Sequence, residues 1–356
     1  MLTHALFLLI TLPPPPPAPF RRLCGPRSAQ DEKEHYFGRI FGIAALVRTG
    51  QVPTAGPAVA TDMVRLLLAT AQKKAFLKEI CYEVLAHLLD AFATDKSKAA
   101  ASASAAKSPV LDLLLEHLQS APLERYSPDM LSLALHVRAV YPALPMPHVG
   151  TDAVVQPKLC VALVEALKAS TYSHPKVHTV WDRLIDRCFT STPKAAVSVK
   201  TGKKVAAAAA AAGAGGGKRS IDVSLLGSVW STCVDAALCT SSNERKFLAF
   251  RLFELVISRV GEAQQDGGDG DDEDAVSVLL TPTFLSTLFH HACDKSQYLH
   301  KAAKKALDAM VKAASGSSAM RLKLLSHLLG RPGGGATDSA TARVVEQLRS
   351  QLDMAG

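Results

Sequence analysis

The chain has 356 residues, and its 40 Lys and Arg outnumber 32 Asp and Glu to give a formal charge of +8 and a pI near 9.1. Apolar residues make up 48 % but aromatics only 6 %, so much of the apolar content is alanine, which favours helices over strands. The seven cysteines are widely spaced and form no C-x-x-C pair, which excludes a disulfide scaffold and fits reduced thiols in a nuclear or cytosolic compartment.

The N-terminus carries an apolar run, Ala5–Leu12, followed by the prolines Pro13–Pro17. No Lys or Arg precedes the run, no clean cleavage site follows, and it is too short to cross a bilayer. Residues 1–30 are therefore expected to be a disordered segment, and no membrane partner is expected. From residue 31 apolar residues recur at three and four, as in Met63, Leu66, Leu67 and Thr70, or Leu111, Leu114, Leu115 and Leu118. Helices are predicted near 31–49, 61–71, 74–92, 109–119, 128–140, 154–169, 175–189, 221–239, 242–260, 276–280, 282–293, 297–314, 318–329 and 341–353, with strand content close to nil.

Four of these helices start on an N-cap pattern: Ser108-Pro109, Ser127-Pro128-Asp129, Ser241-Ser242-Asn243-Glu244 and Thr281-Pro282. A hydroxyl there accepts from an orphan amide, proline fits the first helical position, and an acid complements the helix dipole. Low-complexity tracts at 94–107, 193–220 and 264–274 cannot bury enough apolar surface to order themselves and read as flexible insertions. The domain reading is a helical-repeat region over 31–329, then a linker and short C-terminal helix over 330–356. The fold class is all-α: an irregular HEAT- or armadillo-like α-solenoid, with a single helical bundle as the alternative.

Several segments in this order resemble one family, that of Myb-binding protein 1A and DNA polymerase V (phi). They are YFGRIFGIAALVRTG at 36–50, KKAFLKEICYEVLAHLL at 73–89, HTVWDRLIDR at 178–187, SSNERKFLAFRLFELVI at 241–257 and LLTPTFLSTLFHHACDKSQYLHKAAKKALDAMV at 279–311. The resemblance implies a nuclear, nucleolar helical-repeat protein tied to ribosomal DNA transcription and ribosome biogenesis, in some members also a transcriptional co-regulator. The partners it implies are proteins of the nucleolar transcription or ribosome-assembly machinery, with ribosomal DNA or RNA on basic patches. A generic HEAT-type nuclear adaptor and a DNA polymerase stay open as alternatives.

The candidate contact residues for a polyanion or partner are His300, Lys301, Lys304 and Lys305, opposite an apolar stripe of one helix, with Arg245 and Lys246 at the start of another. No aromatic interleaving for base stacking is read there. Trp181 is expected to be a packing anchor whose indole N–H needs a partner. Gly38 and Gly42 are expected to let a neighbouring helix approach. His290, His291, Cys293 and His300 are spaced poorly for a metal, and no cofactor is expected. The chain shows no phosphate loop and no nucleophile elbow, and its acidic run Asp269–Asp274 reads as part of a Gly-rich loop, so no enzyme is expected.

Overall fold

The computed structural model describes residues 29–96, 108–141, 144, 157–191, 219–265, 271–330 and 339–353. Two compact units divide the chain, Met1–Asp152 and Ala153–Gly356. The N-terminal segment and the central parts of the low-complexity tracts lie outside the described residues.

The first unit contains α1 (Ala29–Arg48), α2 (Pro57–Ala71), α3 (Ala75–Lys96), α4 (Pro109–Gln119) and α5 (Pro128–Val140). Helix α1 buries Ile40, Ile43 and Val47, three and four residues apart, and is followed by a turn at Gly50, whose φ of +68° suits a residue without Cβ. Helix α3 buries Leu77, Cys81, Val84, Leu85, Leu88 and Leu89 and packs on α1, α2 and α5, while α2 packs on α4. Each fully buried leucine contributes about 1.5–3 kcal/mol relative to exposure. The Ser127 hydroxyl caps α5 by accepting from the Met130 amide at 3.2 Å, whereas the Ser108 side chain makes no capping bond to α4.

The second unit begins with α6 (Pro157–Ala169) and α7 (Thr179–Cys188). Here the sequence expectation needs correction. The chain leaves α7 in extended backbone at Phe189 and forms a two-stranded antiparallel ribbon, β1 (Phe189–Ser191) with β2 (Arg219–Ile221), so residues 219 and 220 are strand and not insertion. Ile221 is buried, and the Asp222 amide donates to the Cys188 carbonyl at 2.8 Å. These contacts clasp the two ends of the tract across the helix terminus. Asp222 then caps α8 (Val223–Val229) by accepting from the Leu225 amide at 2.9 Å.

Helix α8 continues without a break into a π-helical stretch, Trp230–Cys239. The remaining elements are α9 (Asn243–Gln265), α10 (Asp271–Leu279), α11 (Pro282–Cys293), α12 (His300–Ala314), α13 (Ser318–Leu329) and α14 (Ser339–Asp353). The acidic run is a second correction: residues 271–274 form the first turn of α10 and not a loop. The 264–274 insertion thus shrinks, with residues 264 and 265 ending α9. The C-terminal helix α14 joins the core, with Val344, Val345 and Leu348 buried, and packs on α11, α12 and α13.

Beside contacts between neighbouring helices, a set of contacts in this unit skips two helices: the α8–π segment meets α11, α9 meets α12, α10 meets α13 and α11 meets α14. Helices α9 and α12 run in the same direction, since Glu254 meets Lys305 and, seven and eight residues on, Gly261 meets Ala313. Their approach is close. A Cβ added at Gly261 would stand 3.1 Å from Ala313 Cβ and 3.2 Å from its carbonyl oxygen. Gly38 shows the opposite, with nothing within 4 Å of such a Cβ among the described residues, so it does not seat a neighbouring helix there.

The core of this unit is aromatic. Trp230 meets Phe284 edge-on at 5.4 Å between centroids, and Phe253 lies 4.8 Å from Phe284. Thr281 fixes this cluster from below: its hydroxyl accepts from the Phe284 amide at 3.1 Å and donates to Asp235 at 2.7 Å. Trp181 is buried as expected and donates its indole N–H to the Ser170 hydroxyl at 2.8 Å.

Candidate polyanion-binding face

Helix α12 forms because alanine dominates it and because Ala303, Ala306, Leu307, Met310, Val311 and Ala314 give one continuous buried stripe. Leu299, 1 % exposed, anchors the turn before it. Lys301, Lys304, Lys305 and Lys312 fall outside the stripe and are exposed. His300 and Lys301 occupy the first turn, which holds no acid. The Lys301 cation there opposes the helix dipole, an effect of about 0.3–1 kcal/mol at a helix end, so its presence is not explained by helix stability.

The candidate residues separate into three environments. Lys301 and Lys304 are exposed and make no ion pair among the described residues. Lys305 reaches back to α9, with Nζ 3.5 Å from Glu254 Oε2, and Arg251 binds the same oxygen. Burial pushes the Glu254 carboxyl above the usual carboxylate range, and the two cations pull it back only in part. His300 is half-buried with Nδ1 shielded from solvent and without a hydrogen-bond partner, which removes that nitrogen from a surface contact.

Arg245 and Lys246 do not join the α12 lysines. Arg245 is half-buried and donates to the Ser241 hydroxyl at 2.8 Å, binding its own helix start. Lys246 lies on the side of α9 that meets α11, where its charge, after burial and His290, helps hold the His291 ring below the usual histidine range. The physical reason is angular: these residues precede Phe250, whose ring packs on His291, while the α12 side of α9 is carried by Arg251, Glu254 and Leu255.

Sequence reasoning missed a groove of about 640 Å³ between α9, α12 and the turn before α7. Lys176, Arg251, Lys305 and Lys312 line it together with Asp182, Glu254 and Asp308. It also missed the pairing of Arg259 with Asp182 at 3.7 Å and with Asp186, for which two acids four apart on α7 were the available signal. Tyr298 corrects the expectation that no aromatic is interleaved with the α12 lysines. It is 72 % exposed and precedes Lys301 by three residues, so an exposed aromatic ring does occur within this basic stretch of chain.

The described cysteines carry no disulfide. Burial, reinforced by Asp129 and Asp235 respectively, pushes the Cys81 and Cys239 thiols up to about 12, which leaves them unreactive. Cys293 is exposed at the end of α11. Among the described residues no group of three His, Cys, Asp or Glu is placed to hold a metal ion, and no helix is long and apolar enough to cross a membrane.

The family model for DNA polymerase phi matches residues 22–356. The chain belongs to the DNA polymerase phi family. It is also similar to the rDNA transcriptional regulator pol5 of Schizosaccharomyces pombe, at 24 % identity over 363 residues. That alignment takes in 99 % of this chain and 33 % of the relative, so the chain spans about a third of the relative's length. No solved structure matches the chain. Membership in the DNA polymerase phi family agrees with the resemblance read from the ordered sequence blocks.

Proposed function

We propose that this chain acts in the nucleus, at the nucleolus, as a non-enzymatic helical scaffold that supports ribosomal DNA transcription and ribosome biogenesis and serves as a transcriptional co-regulator. The observation that carries the reading is the family match from residue 22 to residue 356, joined to the likeness to the fission yeast rDNA transcriptional regulator. The skip-two contacts and same-direction packing of α9 and α12 support a stacked, armadillo-like array, a form suited to extended contact with proteins of the transcription or assembly machinery. Lys301 and Lys304, exposed on α12, supply contacts to ribosomal DNA or RNA.

A polymerase reading gains nothing from the residues described. Residues 271–274 are successive positions on one helix, spaced about 100° around its axis, whereas two-metal chemistry needs carboxylates supplied from positions that converge on one point. The test is salt-titrated binding of the purified chain to a ribosomal DNA fragment, alongside the Lys301→Glu/Lys304→Glu variant. Binding should weaken, with a shallower dependence on salt by about two phosphate contacts, while helicity is unchanged. Identical binding curves for the two proteins would remove this face from the account. Pulse-labelling of ribosomal RNA in cells carrying the variant should show slower synthesis.

A further inference from the structure

Six tyrosines occur in the chain, and five are engaged. Tyr36 lies under the Lys73 ammonium, 5.2 Å from ring centroid to Nζ. Tyr82 bonds to His117 Nε2 at 2.8 Å, Tyr126 donates to the Leu118 carbonyl, Tyr141 donates to the Leu89 carbonyl at 3.5 Å, and Tyr172 bonds to His178 Nε2 at 3.0 Å. Tyr298 makes no hydrogen bond and no ring contact among the described residues, and it is the most exposed of the large apolar side chains.

Isolated exposed apolar residues are ordinary, and Phe41, Leu322 and Leu329 are examples. Tyr298 differs in its setting and its support. Lys295, Lys301 and Lys304 are exposed within six residues of it on either side. The turn that carries it is pinned: Asp294 Oδ1 accepts from the Ser296 amide at 2.8 Å and Oδ2 from the Ser296 hydroxyl at 2.7 Å. The Gln297 amide donates to the Asp294 carbonyl at 3.1 Å and the His300 amide to the Gln297 carbonyl at 3.0 Å. Asp294 is the nearby acid, and its carboxylate is committed to holding this turn. Buried Leu299 fixes the chain on the other side, so the phenol ring is held outward by a rigid base.

A flat ring displayed beside cations matches one ligand chemistry, unpaired bases joined by phosphates. The ring offers a face on which any base can stack, and Lys301 and Lys304, about 5–6 Å apart as neighbours on one helix face, address the backbone. An acidic protein segment would use the lysines and leave the ring idle. Duplex bases are stacked on one another and present no face to it. We propose that Tyr298, with Lys295, Lys301 and Lys304, forms a stacking site for single-stranded nucleic acid. This deepens the polyanion reading of α12 and rests on it.

The experiment is fluorescence anisotropy of the full chain with a labelled 12-nucleotide RNA, the DNA of the same sequence, and the corresponding duplex. Tyr298→Ala should weaken single-strand binding about tenfold, the effect of losing one stacked base, and leave duplex binding and the salt dependence unchanged. Tyr298→Phe keeps the ring and should restore single-strand binding. The RNA and DNA arms report which strand the site prefers, and retention of the Tyr298 effect on either supports the proposal. If Tyr298→Ala binds single strands as the parent does while Lys301→Glu/Lys304→Glu weakens binding, the stacking site is overturned and the basic face survives. If the lysine variant also binds unchanged, the underlying reading falls with it. The side chain is 72 % exposed, so circular dichroism of the tyrosine variants should match the parent.

Discussion

The two units build their cores from different side chains, although each holds a tyrosine–histidine pair, Tyr82–His117 in the first and Tyr172–His178 in the second. In the first, Tyr82, Tyr126 and Tyr141 stand at the edge of an aliphatic core and bind His117 or main-chain carbonyls, and His136 adds bonds to the Ala86 carbonyl at 3.2 Å and Asp90 at 3.0 Å. In the second, rings make the core itself, around Trp230, Phe250, Phe253 and Phe284, and ion pairs from Arg259 and Lys305 join its helices. Tyr82, Tyr126 and Tyr141 are thus committed to partners inside the first unit. The unit that packs on phenylalanine leaves Tyr298 at the surface.

The contrast can be broken most sharply at the aromatic centre. Phe284→Ala removes the ring shared by Trp230, Phe250 and Phe253 and should cost about 3–5 kcal/mol in urea denaturation followed by circular dichroism. A loss below about 1 kcal/mol would mean the cluster does not govern the second unit. The next effect separates two glycines. Gly261→Val should cost about 1–3 kcal/mol, because the new side chain meets the Ala313 backbone, which cannot rotate away. Gly38→Ala should instead add about 0.5–1 kcal/mol, since the helix gains a better former with open space around it. Equal effects at the two positions would contradict the close approach of α9 and α12.

The smallest effect is a pH dependence present in both units. Burial holds His117 in the first unit, and His291 and His327 in the second, below the ordinary histidine range. Each binds a proton more readily when unfolded, so stability is complete above about pH 6.5 and declines as pH falls below it. Denaturation midpoints between about pH 7.5 and 5.5 should show this slope, and His117→Gln should flatten the first unit's share. A midpoint that rises on acidification would reverse the assignment.

Much of the helix order was legible because three-and-four periodicity survives in sequence, and Ser127 and Thr281 cap where their patterns said they would. The ribbon at 189–191 and 219–221 was not, since three residues are too few to show a period of two and its partners lie far apart in the chain. The caps at His178 and Asp222 were also missed, being single residues without a following proline. Exposed lysines on α12 could be placed from the buried stripe alone. The fate of Lys305, Arg245 and Lys246 could not, because each depends on a neighbour brought in by packing: Glu254 from α9, Ser241 from the preceding turn, and His291 from α11.

Both tryptophans, Trp181 and Trp230, are about 1 % exposed and belong to the second unit. Indole emission from the native chain therefore originates in one unit alone. A red shift on adding denaturant dates the opening of the ring-centred core, while far-ultraviolet ellipticity sums the helices of both. The lag or coincidence of those two signals measures how independently the halves of the chain come apart, with no label attached.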